Sequence, residues 1–329
     1  MKCIVTGAAG FIGSHLVDRL VKEGHEVHAL DNFSTGSIKN LKKSKKKIKI
    51  NKIDISNLKK LKKLKCFDNV NWVFHLAGLA DIVPSINNPE DYFESNVKGT
   101  LNVLQCSNNK NLKKFIYAAS ASCYGIPKKY PTNEDTKIDT RYPYALTKYL
   151  GEQIVMHWAQ VYKMPNLSIR FFNVYGPRSR TTGAYGAMFG VFLSQKINNF
   201  PLTIVGDGKQ TRDFIFITDL IDGLLKAAKN KKINKIYNLG SGVETSVNYI
   251  ANLISKRKVK IPSRPGEPLR SKADIRKFKK DFNWKPKVTI DQGVSKLISN
   301  IQLWKKAPIW TKSKIKKATK TWFKFLKSS

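Results

Sequence analysis

A tyrosine and a lysine four residues apart, Tyr144 and Lys148, form a pair whose side chains could do acid–base chemistry. They lie in the helix-forming segment YALTK, so both side chains are expected on one face of a helix, one turn apart. A phenol with an ordinary pKa of about 10 is a poor base at neutral pH, but a nearby ammonium group favours the phenolate. The pair therefore predicts a base that removes the proton of a substrate hydroxyl.

Hydroxyl side chains end the predicted strand before this helix, in the run AASASCYG at residues 118–125. Ser120 is expected where its hydroxyl could bridge a substrate oxygen and Tyr144. If the chain stays extended beyond Ser120, alternate side chains point to opposite sides, which turns Cys123 away from the side of Ser122. We therefore interpret Cys123 as a structural residue.

A glycine-rich turn, GAAGFIG at residues 7–13, lies between the first predicted strand and a helical segment. Glycines permit a tight turn there, and the N–H groups of the helix N-terminus can bind a pyrophosphate. Asp31 ends the second predicted strand 18 residues after this turn, where its carboxylate can accept hydrogen bonds from both hydroxyls of an adenosine ribose. The pattern favours NAD, since Asp31 would repel the 2′-phosphate of NADP, although Lys39 and Lys42 could soften that preference.

The elements that must position these groups alternate along the first half of the chain. Short apolar runs are separated by helix-length amphipathic segments, which is typical of βαβ units around a doubly wound parallel sheet in an α/β fold. The predicted strands are Lys2 to Thr6, Glu26 to Leu30, Lys47 to Ile53, Trp72 to Leu76, Lys114 to Ala118 and Leu167 to Phe172, and the clearest predicted helices are Phe11 to Lys22 and Tyr92 to Asn108.

The pattern becomes irregular after about Asn173, with more glycine, proline and arginine, which predicts a smaller lobe whose loops form a pocket. We therefore expect a dinucleotide-binding domain over residues 1–172 and a substrate-binding lobe over 173–305, from which segments could return to the sheet. A basic tail over 306–329 follows.

The charge of the chain is strongly positive, with 60 basic and 23 acidic side chains and a net charge of +37. Such a charge ordinarily indicates a polyanion partner. Because 50 of the 60 cations are lysines spread in runs, we interpret it as a solvated exterior without a specific nucleic-acid partner, and nonspecific attraction to polyanions stays open.

The cysteines and the N-terminal segment bear on the cellular compartment. The four cysteines are widely spaced, without the pairing typical of zinc or disulfide frameworks, which fits a reducing compartment. No apolar targeting segment precedes the first predicted strand. We expect a cytoplasmic protein without a metal site.

These motifs, in this order, resemble the extended short-chain dehydrogenase/reductase family, most closely its UDP-glucose and UDP-N-acetylglucosamine 4-epimerases, from Met1 to roughly Trp304. The resemblance implies a Rossmann sheet, tightly held and recycled NAD, a homodimer, and a catalytic triad of Ser120, Tyr144 and Lys148. The expected cofactor site comprises Gly7, Gly10, Phe11, Ile12, Gly13, Asp31, Asn32, Ser34, Asp54, Ile55, Leu76, Ala77, Gly78, Asn96, Tyr144, Lys148 and Phe171. His75, just before the predicted loop 76–78, we interpret as a packed structural histidine.

The resemblance also implies a substrate site for a nucleotide diphosphate. Asn173 in RFFNVYGP, Arg212 in GDGKQTRDF and Arg264 in RPGE are similar to the family's diphosphate-binding residues, and a planar guanidinium suits phosphate. Arg178 and Arg180 are expected either in surface ion pairs or beside a uronic acid carboxylate. The expected substrate site comprises Ser85, Ser120, Ser122, Asn173, Arg212, Arg264 and Ser271.

Ala121 and Ser122 narrow the choice among the reactions of the family. Dehydratases and decarboxylases of the family carry acids at these positions, and neither residue can supply one. The resemblance then implies epimerisation at C4 through a 4-keto sugar. A small Ser271 leaves room for an N-acetyl group on the sugar, whereas Ala121 departs from the Ser of N-acetyl-preferring relatives. A uronic acid substrate, a decarboxylase or dehydratase that uses an acid from elsewhere, and a non-catalytic NAD or nucleotide-sugar binding protein stay open.

The tail places apolar residues at helical spacing among seven lysines between Lys312 and Lys327. This pattern predicts an amphipathic helix. Three roles remain open for it: closing the second lobe, a dimer contact, or adsorption to an anionic membrane surface. The apolar residues are Ile315, Ala318, Trp322, Phe325 and Leu326.

Overall fold

Strands and helices alternate through the first half of the chain in a computed structural model that describes residues 1–179 and 188–326. The strands are β1 Lys2–Thr6, β2 Glu26–Asp31, β3 Ile48–Lys52, β4 Trp72–His75, β5 Lys114–Ser120 and β6 Asn166–Phe171. The helices are α1 Phe11–Lys22, α2 Leu58–Leu61, α3 Ile82–Asn87, α4 Pro89–Phe93, α5 Gly99–Ser107 and α6 Pro143–Val161.

The second half is less regular. Its strands are β7 Asn173–Tyr175, β8 Leu202–Val205, β9 Thr211–Phe216, β10 Lys235–Leu239, β11 Glu244–Ser246 and β12 Lys258–Ile261. Its helices are α7 Met188–Ile197, α8 Ile217–Lys229, α9 Val247–Ile254, α10 Arg276–Phe282, α11 Ile290–Ser299, α12 Lys312–Ala318 and α13 Lys320–Phe325.

Seven parallel strands form the central sheet in the order β10-β6-β5-β4-β1-β2-β3. The predicted doubly wound parallel sheet is confirmed. The order reverses between β1 and β4, and ligands of such sheets bind where the strand order reverses, outside the carboxyl ends of the strands. Strand β10 comes from the second half of the chain and pairs with β6.

All six predicted strands are present, with ends that differ by at most two residues. Apart from the edge strand β3, which is only partly buried, these strands are apolar and buried, which is why they could be recognised. The predicted helix from Tyr92 to Asn108 corresponds to α4 and α5, joined through a wide helical turn at Glu94–Lys98.

The chain does not stay extended after β5, so the alternation of an extended strand does not explain where Cys123 points. That part of the prediction is wrong. Ser120 is the last strand residue, and Ala121–Tyr124 form a tight helical turn. Cys123 is nonetheless buried in the main core, and burial raises the pKa of its thiol to about 12. These observations agree with a structural cysteine.

The two halves of the chain share one apolar core. Leu16 and Leu20 of α1 belong to the same buried cluster as Leu220 and Leu224 of α8. Two small sheets, ordered β11-β9-β7 and β12-β8, complete the second half. Within residues 1–179 and 188–326, no helix is long and apolar enough to cross a membrane.

The tail forms two short helices, α12 and α13, instead of one continuous helix, with Thr319 between them. Ile315, Trp322 and Leu326 are buried as the apolar pattern predicts, but Phe325 is 59% exposed. Trp322 and Leu326 face the interior and Phe325, which lies after the break at Thr319, does not.

Candidate active site

A cavity of about 1060 Å³ lies along the carboxyl ends of the central strands. Its wall includes residues that follow β1 and β4, the ends of β2, β5 and β6, and segments of the second half. The volume exceeds that of most sites for a single small ligand, so a dinucleotide and a second ligand fit its size.

The glycine turn forms one end of this cavity. Gly7 has a φ of +66°, and a Cβ there would lie 2.8 Å from the backbone nitrogen of Ala77. A Cβ on Gly13 would overlap the carbonyl oxygen of Gly7. Gly10 precedes α1, whose N-terminus receives no side-chain cap from the described residues. A bare helix N-terminus beside a surface of glycines fits a pyrophosphate.

Asp31 is held at the end of β2 by two backbone groups. Its Oδ2 accepts a hydrogen bond from Ala9 N at 2.8 Å, and its Oδ1 accepts one from Phe33 N at 2.7 Å. Burial raises the pKa of Asp31, and these two hydrogen bonds act in the opposite direction. Each carboxylate oxygen keeps a lone pair with which to accept a ribose hydroxyl.

Most residues of the predicted cofactor site line this cavity. Asn32 donates to Asp54 Oδ2 at 3.0 Å and links the loops after β2 and β3. The predicted residues in the wall are Gly7, Gly10, Phe11, Ile12, Gly13, Asp31, Asn32, Ser34, Asp54, Ile55, Leu76, Ala77, Gly78, Tyr144, Lys148 and Phe171.

Asn96 and Ser85 are buried and do not line the cavity. The Asn96 amide accepts from Leu79 N at 2.8 Å and donates to Thr147 Oγ1 at 3.1 Å, so it holds the loop after β4 against α6. Ser85 donates within α3, to Ile82 O at 2.6 Å. Their positions support packing roles and not direct contact with a ligand.

His75 is fully buried between two threonine hydroxyls, Thr6 Oγ1 at 2.7 Å and Thr100 Oγ1 at 2.9 Å. Burial lowers the pKa of His75 to about 3, so the imidazole stays neutral. It does not line the cavity. The structure agrees with a packed structural histidine.

Tyr144 lies in the cavity wall near Ser120, whose hydroxyl lowers the pKa of the phenol. The Ser120 hydroxyl accepts from Ser122 Oγ at 2.8 Å and from Ser122 N at 3.2 Å, which leaves its own proton for donation to the phenol oxygen. Burial raises the pKa of Tyr144, and the Ser120 hydrogen bond lowers it. The negative charge of Asp81 raises the pKa further.

The expected effect of Lys148 on Tyr144 is not present in the protein alone. The pKa of Tyr144 is raised, because burial outweighs the groups that favour the phenolate. The ammonium group of Lys148 lies 4.3 Å from the ring centroid of Tyr117 and is almost fully buried. Burial lowers the pKa of Lys148 to about 7, against the opposing charge of Glu152.

Two arginines converge at the other end of the cavity. Arg212 Nη2 donates to Glu267 Oε1 at 2.7 Å, and Arg264 Nη1 lies 3.9 Å from Glu267 Oε2. Both guanidinium groups line the wall, together with Asn173 and Ser271. Adjacent guanidinium groups are suited to a diphosphate, which can take up bidentate hydrogen bonds.

Asp213 follows Arg212 in β9 and is fully buried. Its buried carboxylate accepts from the backbone nitrogens of Ser241, Gly242 and Ala273, at 2.6, 2.9 and 3.0 Å. This network fixes β9 to the loop after β10. Asp213 is not among the residues predicted from the sequence, although an acid within the apolar strand RDFIF is a signal of a buried, fully bonded carboxylate.

Arg178 is not among the residues of the cavity wall. Its Nη2 donates to Asp18 Oδ2 of α1 at 2.7 Å, which supports the ion-pair alternative. Arg180 lies outside the described residues. Arg141, which the sequence analysis did not single out, lines the cavity and donates from Nε to Asp139 at 3.0 Å. Its Nη1 is buried and has no hydrogen-bond partner among the described residues.

The chain matches the model of the NAD-dependent epimerase/dehydratase family over residues 3–240. It is 30% identical to a solved UDP-glucose 4-epimerase from Thermotoga maritima, with a TM-score of 0.86 and coverage of 92% of this chain and 99% of that one. A UDP-glucuronic acid 4-epimerase from Bacillus cereus, solved with UDP-glucuronic acid and NAD, is 32% identical, with a TM-score of 0.83 and the same coverage.

A relative named UDP-N-acetyl-alpha-D-glucosaminuronate decarboxylase, from Bacillus cytotoxicus, is 32% identical over 314 residues, which are 90% of this chain and 96% of that protein. Names within this family therefore include more than one reaction. The family match agrees with the glycine turn, Asp31 and the fold. The chain belongs to the NAD-dependent epimerase/dehydratase family, and NAD is its cofactor.

Proposed function

We propose that this enzyme inverts the C4 hydroxyl of a UDP-sugar through a transient 4-keto intermediate. The observation that carries the proposal is that Tyr144 and Ser120 lie together in the wall of one cavity, which has the glycine turn at one end and two arginines at the other. A phenol at this place can reach a sugar hydroxyl whose diphosphate is held by Arg212 and Arg264.

The residues divide the work of the reaction. Tyr144 Oη removes the proton of the 4-hydroxyl, and Ser120 orients that oxygen by hydrogen bonding. Lys148 is assigned the positive charge near the phenol in the NAD-loaded enzyme, since its effect on Tyr144 is absent in the protein alone. The chemistry that NAD supplies when bound is the reversible uptake of the C4 hydride. Arg212 and Arg264 retain the diphosphate while the sugar turns, and Tyr144 returns the proton to the same oxygen.

The two residues after Ser120 favour epimerisation over elimination, whereas Asp81 keeps the elimination alternative open. Ala121 and Ser122 carry no acid, and Ser122 is bonded to Ser120. Asp81 also lines the cavity, and its charge raises the pKa of Tyr144. A decarboxylase or dehydratase reaction would need an acid such as this one, and it would change the mass of the sugar.

A second candidate is the same inversion on a UDP-hexuronate. Arg141 supports it, because its Nη1 is buried beside the cavity without a hydrogen-bond partner in the described ranges 1–179 and 188–326. A carboxylate at C6 of the sugar is the kind of group that satisfies a guanidinium. The solved Bacillus cereus enzyme carries a UDP-glucuronic acid ligand, which keeps this substrate class in the test.

The size of the sugar pocket bears on the C2 substituent. Ser271 lines the cavity and has a small side chain. We therefore expect an N-acetyl group at C2 to be accepted together with a hydroxyl.

The test is incubation of the purified protein with UDP-glucose, UDP-N-acetylglucosamine and UDP-glucuronate without added NAD. We expect a C4 epimer of unchanged mass from at least one of them, identified by NMR, and no product from Tyr144→Phe. Products of lower mass would support decarboxylation or dehydration instead. Binding of NAD and UDP without any turnover would support a non-catalytic binding protein.

The homodimer stays a prediction from the family. Light scattering coupled to gel filtration distinguishes a dimer from a 37.3 kDa monomer.

A further inference from the structure

The tail helices α12 and α13 form part of the wall of the active-site cavity. Ile315 and Trp322 line the cavity, although they lie far in sequence from the other wall residues. Trp322 is only 2% exposed, and its indole Nε1 donates to the carbonyl oxygen of Pro265 at 2.7 Å. The apolar side of the tail is therefore buried against the chain itself, which argues against a role for that side in membrane adsorption.

Trp322 also lies beside one of the two cavity arginines. The guanidinium carbon of Arg264 is 5.8 Å from the centroid of the Trp322 ring, within the range of a cation–π contact. The segment that carries Arg264 follows β12 and has no helix or strand over residues 262–271. Such a segment relies on contacts from elsewhere to fix its side chains, and Trp322 contacts both its backbone and its arginine.

The same apolar side of the tail also packs against the part of the protein that carries Tyr144. Trp322 and Leu326 form a small apolar cluster with Val83 of α3, and Tyr142 packs against this cluster. The ring of Tyr142 is stacked on that of Tyr144, with centroids 6.4 Å apart and an angle of 10° between the planes. The tail thus connects the Arg264 segment to the neighbour of the catalytic tyrosine.

We propose that Trp322 is a positioning residue for Arg264, and that α12 and α13 are an integral wall of the nucleotide-sugar site that sets its affinity for the UDP moiety. This inference rests on the proposed function, because it takes Arg264 to bind the diphosphate. A side chain that holds an arginine in place removes part of the ordering cost that binding must otherwise meet.

The test compares Trp322→Phe with Phe325→Leu in the NAD-loaded enzyme. Trp322→Phe keeps an aromatic ring and removes the N–H donor, whereas Phe325 lies on the same helix and is 59% exposed. Calorimetry with UDP gives the affinity, acid release gives the NAD content, and thermal unfolding gives stability. We expect Trp322→Phe to weaken the affinity for UDP about 3- to 10-fold, which is the value of one lost hydrogen bond. The KM should rise, whereas kcat and the NAD content should be retained. Phe325→Leu should match the wild type.

A double-mutant cycle with Arg264→Lys tests whether Trp322 acts through Arg264. If it does, Trp322→Phe adds little to the loss of UDP affinity that Arg264→Lys causes alone. Fully additive losses would overturn the positioning role. So would a lower melting temperature of Trp322→Phe with unchanged UDP affinity, because the tail would then serve stability only.

UDP binding and turnover separate the two proposals. A wild-type protein that binds UDP but forms no epimer, with UDP binding weakened by Trp322→Phe, would refute the proposed reaction and support the role of the tail. A wild-type protein that binds no UDP would overturn both. If Trp322→Phe does not fold, Leu326→Ala replaces it, because it loosens the tail at its far end and keeps the indole donor. This variant should also weaken the affinity for UDP. Unchanged affinity in a folded Leu326→Ala protein would overturn the inference.

Discussion

Glu152, one helical turn beyond Lys148 on α6, forms a buried ion pair with Arg170. Arg170 Nε donates to Glu152 Oε2 at 3.0 Å, and Ser168 Oγ donates to the same oxygen at 2.7 Å. The negative charge of Glu152 raises the pKa of Lys148, but burial outweighs that effect and lowers the pKa to about 7. Helix α6 therefore carries both Lys148 and the acid of the buried ion pair.

The ion pair leads to a stability prediction. Arg170→Met leaves Glu152 buried without its partner, and breaking a buried pair in this way costs about 3–5 kcal/mol. Urea unfolding of the mutant should show that loss. Arg276→Met is the matched control, because Arg276 is paired with Asp274 but is 85% exposed, and its unfolding should be unchanged. Equal transitions for both variants would contradict the importance of the buried pair.

Asp81→Asn should shift the pH dependence of turnover. The negative charge of Asp81 raises the pKa of Tyr144, so its removal lowers that pKa, and the acidic limb of the kcat/KM profile moves to lower pH. Asparagine tolerates the φ of +90° at this position. Asp91 also lines the cavity, and Asp91→Asn serves as the control with an unshifted limb. A limb that stays in place in Asp81→Asn, or moves to higher pH, would refute the electrostatic role of Asp81.

Gly13→Ala should abolish the binding of NAD. Its Cβ would overlap the Gly7 carbonyl oxygen, so the turn and α1 must move apart and the pyrophosphate site is lost. Nucleotide released by acid from the purified protein measures the effect. Gly24→Ala is the control, because a Cβ there meets nothing within 4 Å and its φ of +77° costs only about 1–2 kcal/mol. Normal NAD content in Gly13→Ala would show that the turn does not bind the cofactor.

Ser271→Tyr tests the space at the sugar. We expect the larger side chain to remove activity on UDP-N-acetylglucosamine while activity on UDP-glucose persists, measured by kcat/KM for each sugar. Ser271→Ala should leave the ratio between the two sugars unchanged. Full activity of Ser271→Tyr on both sugars would mean that this residue does not limit the C2 substituent.

The features that could be predicted from the sequence are local. The spacing of Tyr144 and Lys148 fixes their shared helical face, and the buried parallel strands appear as apolar runs. The glycines before α1 could be recognised because only glycine permits the close approach of that turn to the loop after β4. Each of these signals lies within about 30 residues of sequence, the length of one βαβ unit.

What could not be predicted depends on contacts between distant parts of the chain. Arg178 pairs with Asp18, and Trp322 binds the backbone at Pro265, and neither contact leaves a periodic pattern in the sequence. The burial of Asn96 and Ser85 likewise depends on how α3, α5 and α6 pack, which motif positions alone do not specify.

The most direct measurement follows the hydrogen at C4. Substrates deuterated at C4, namely UDP-glucose, UDP-N-acetylglucosamine and UDP-glucuronate, are incubated with the enzyme, and the products are analysed by NMR and mass spectrometry. Inversion at C4 by Tyr144 predicts the C4 epimer of at least one sugar, with deuterium retained at C4 and mass unchanged. Loss of the label to solvent, a change in mass, or the absence of any epimer would contradict it.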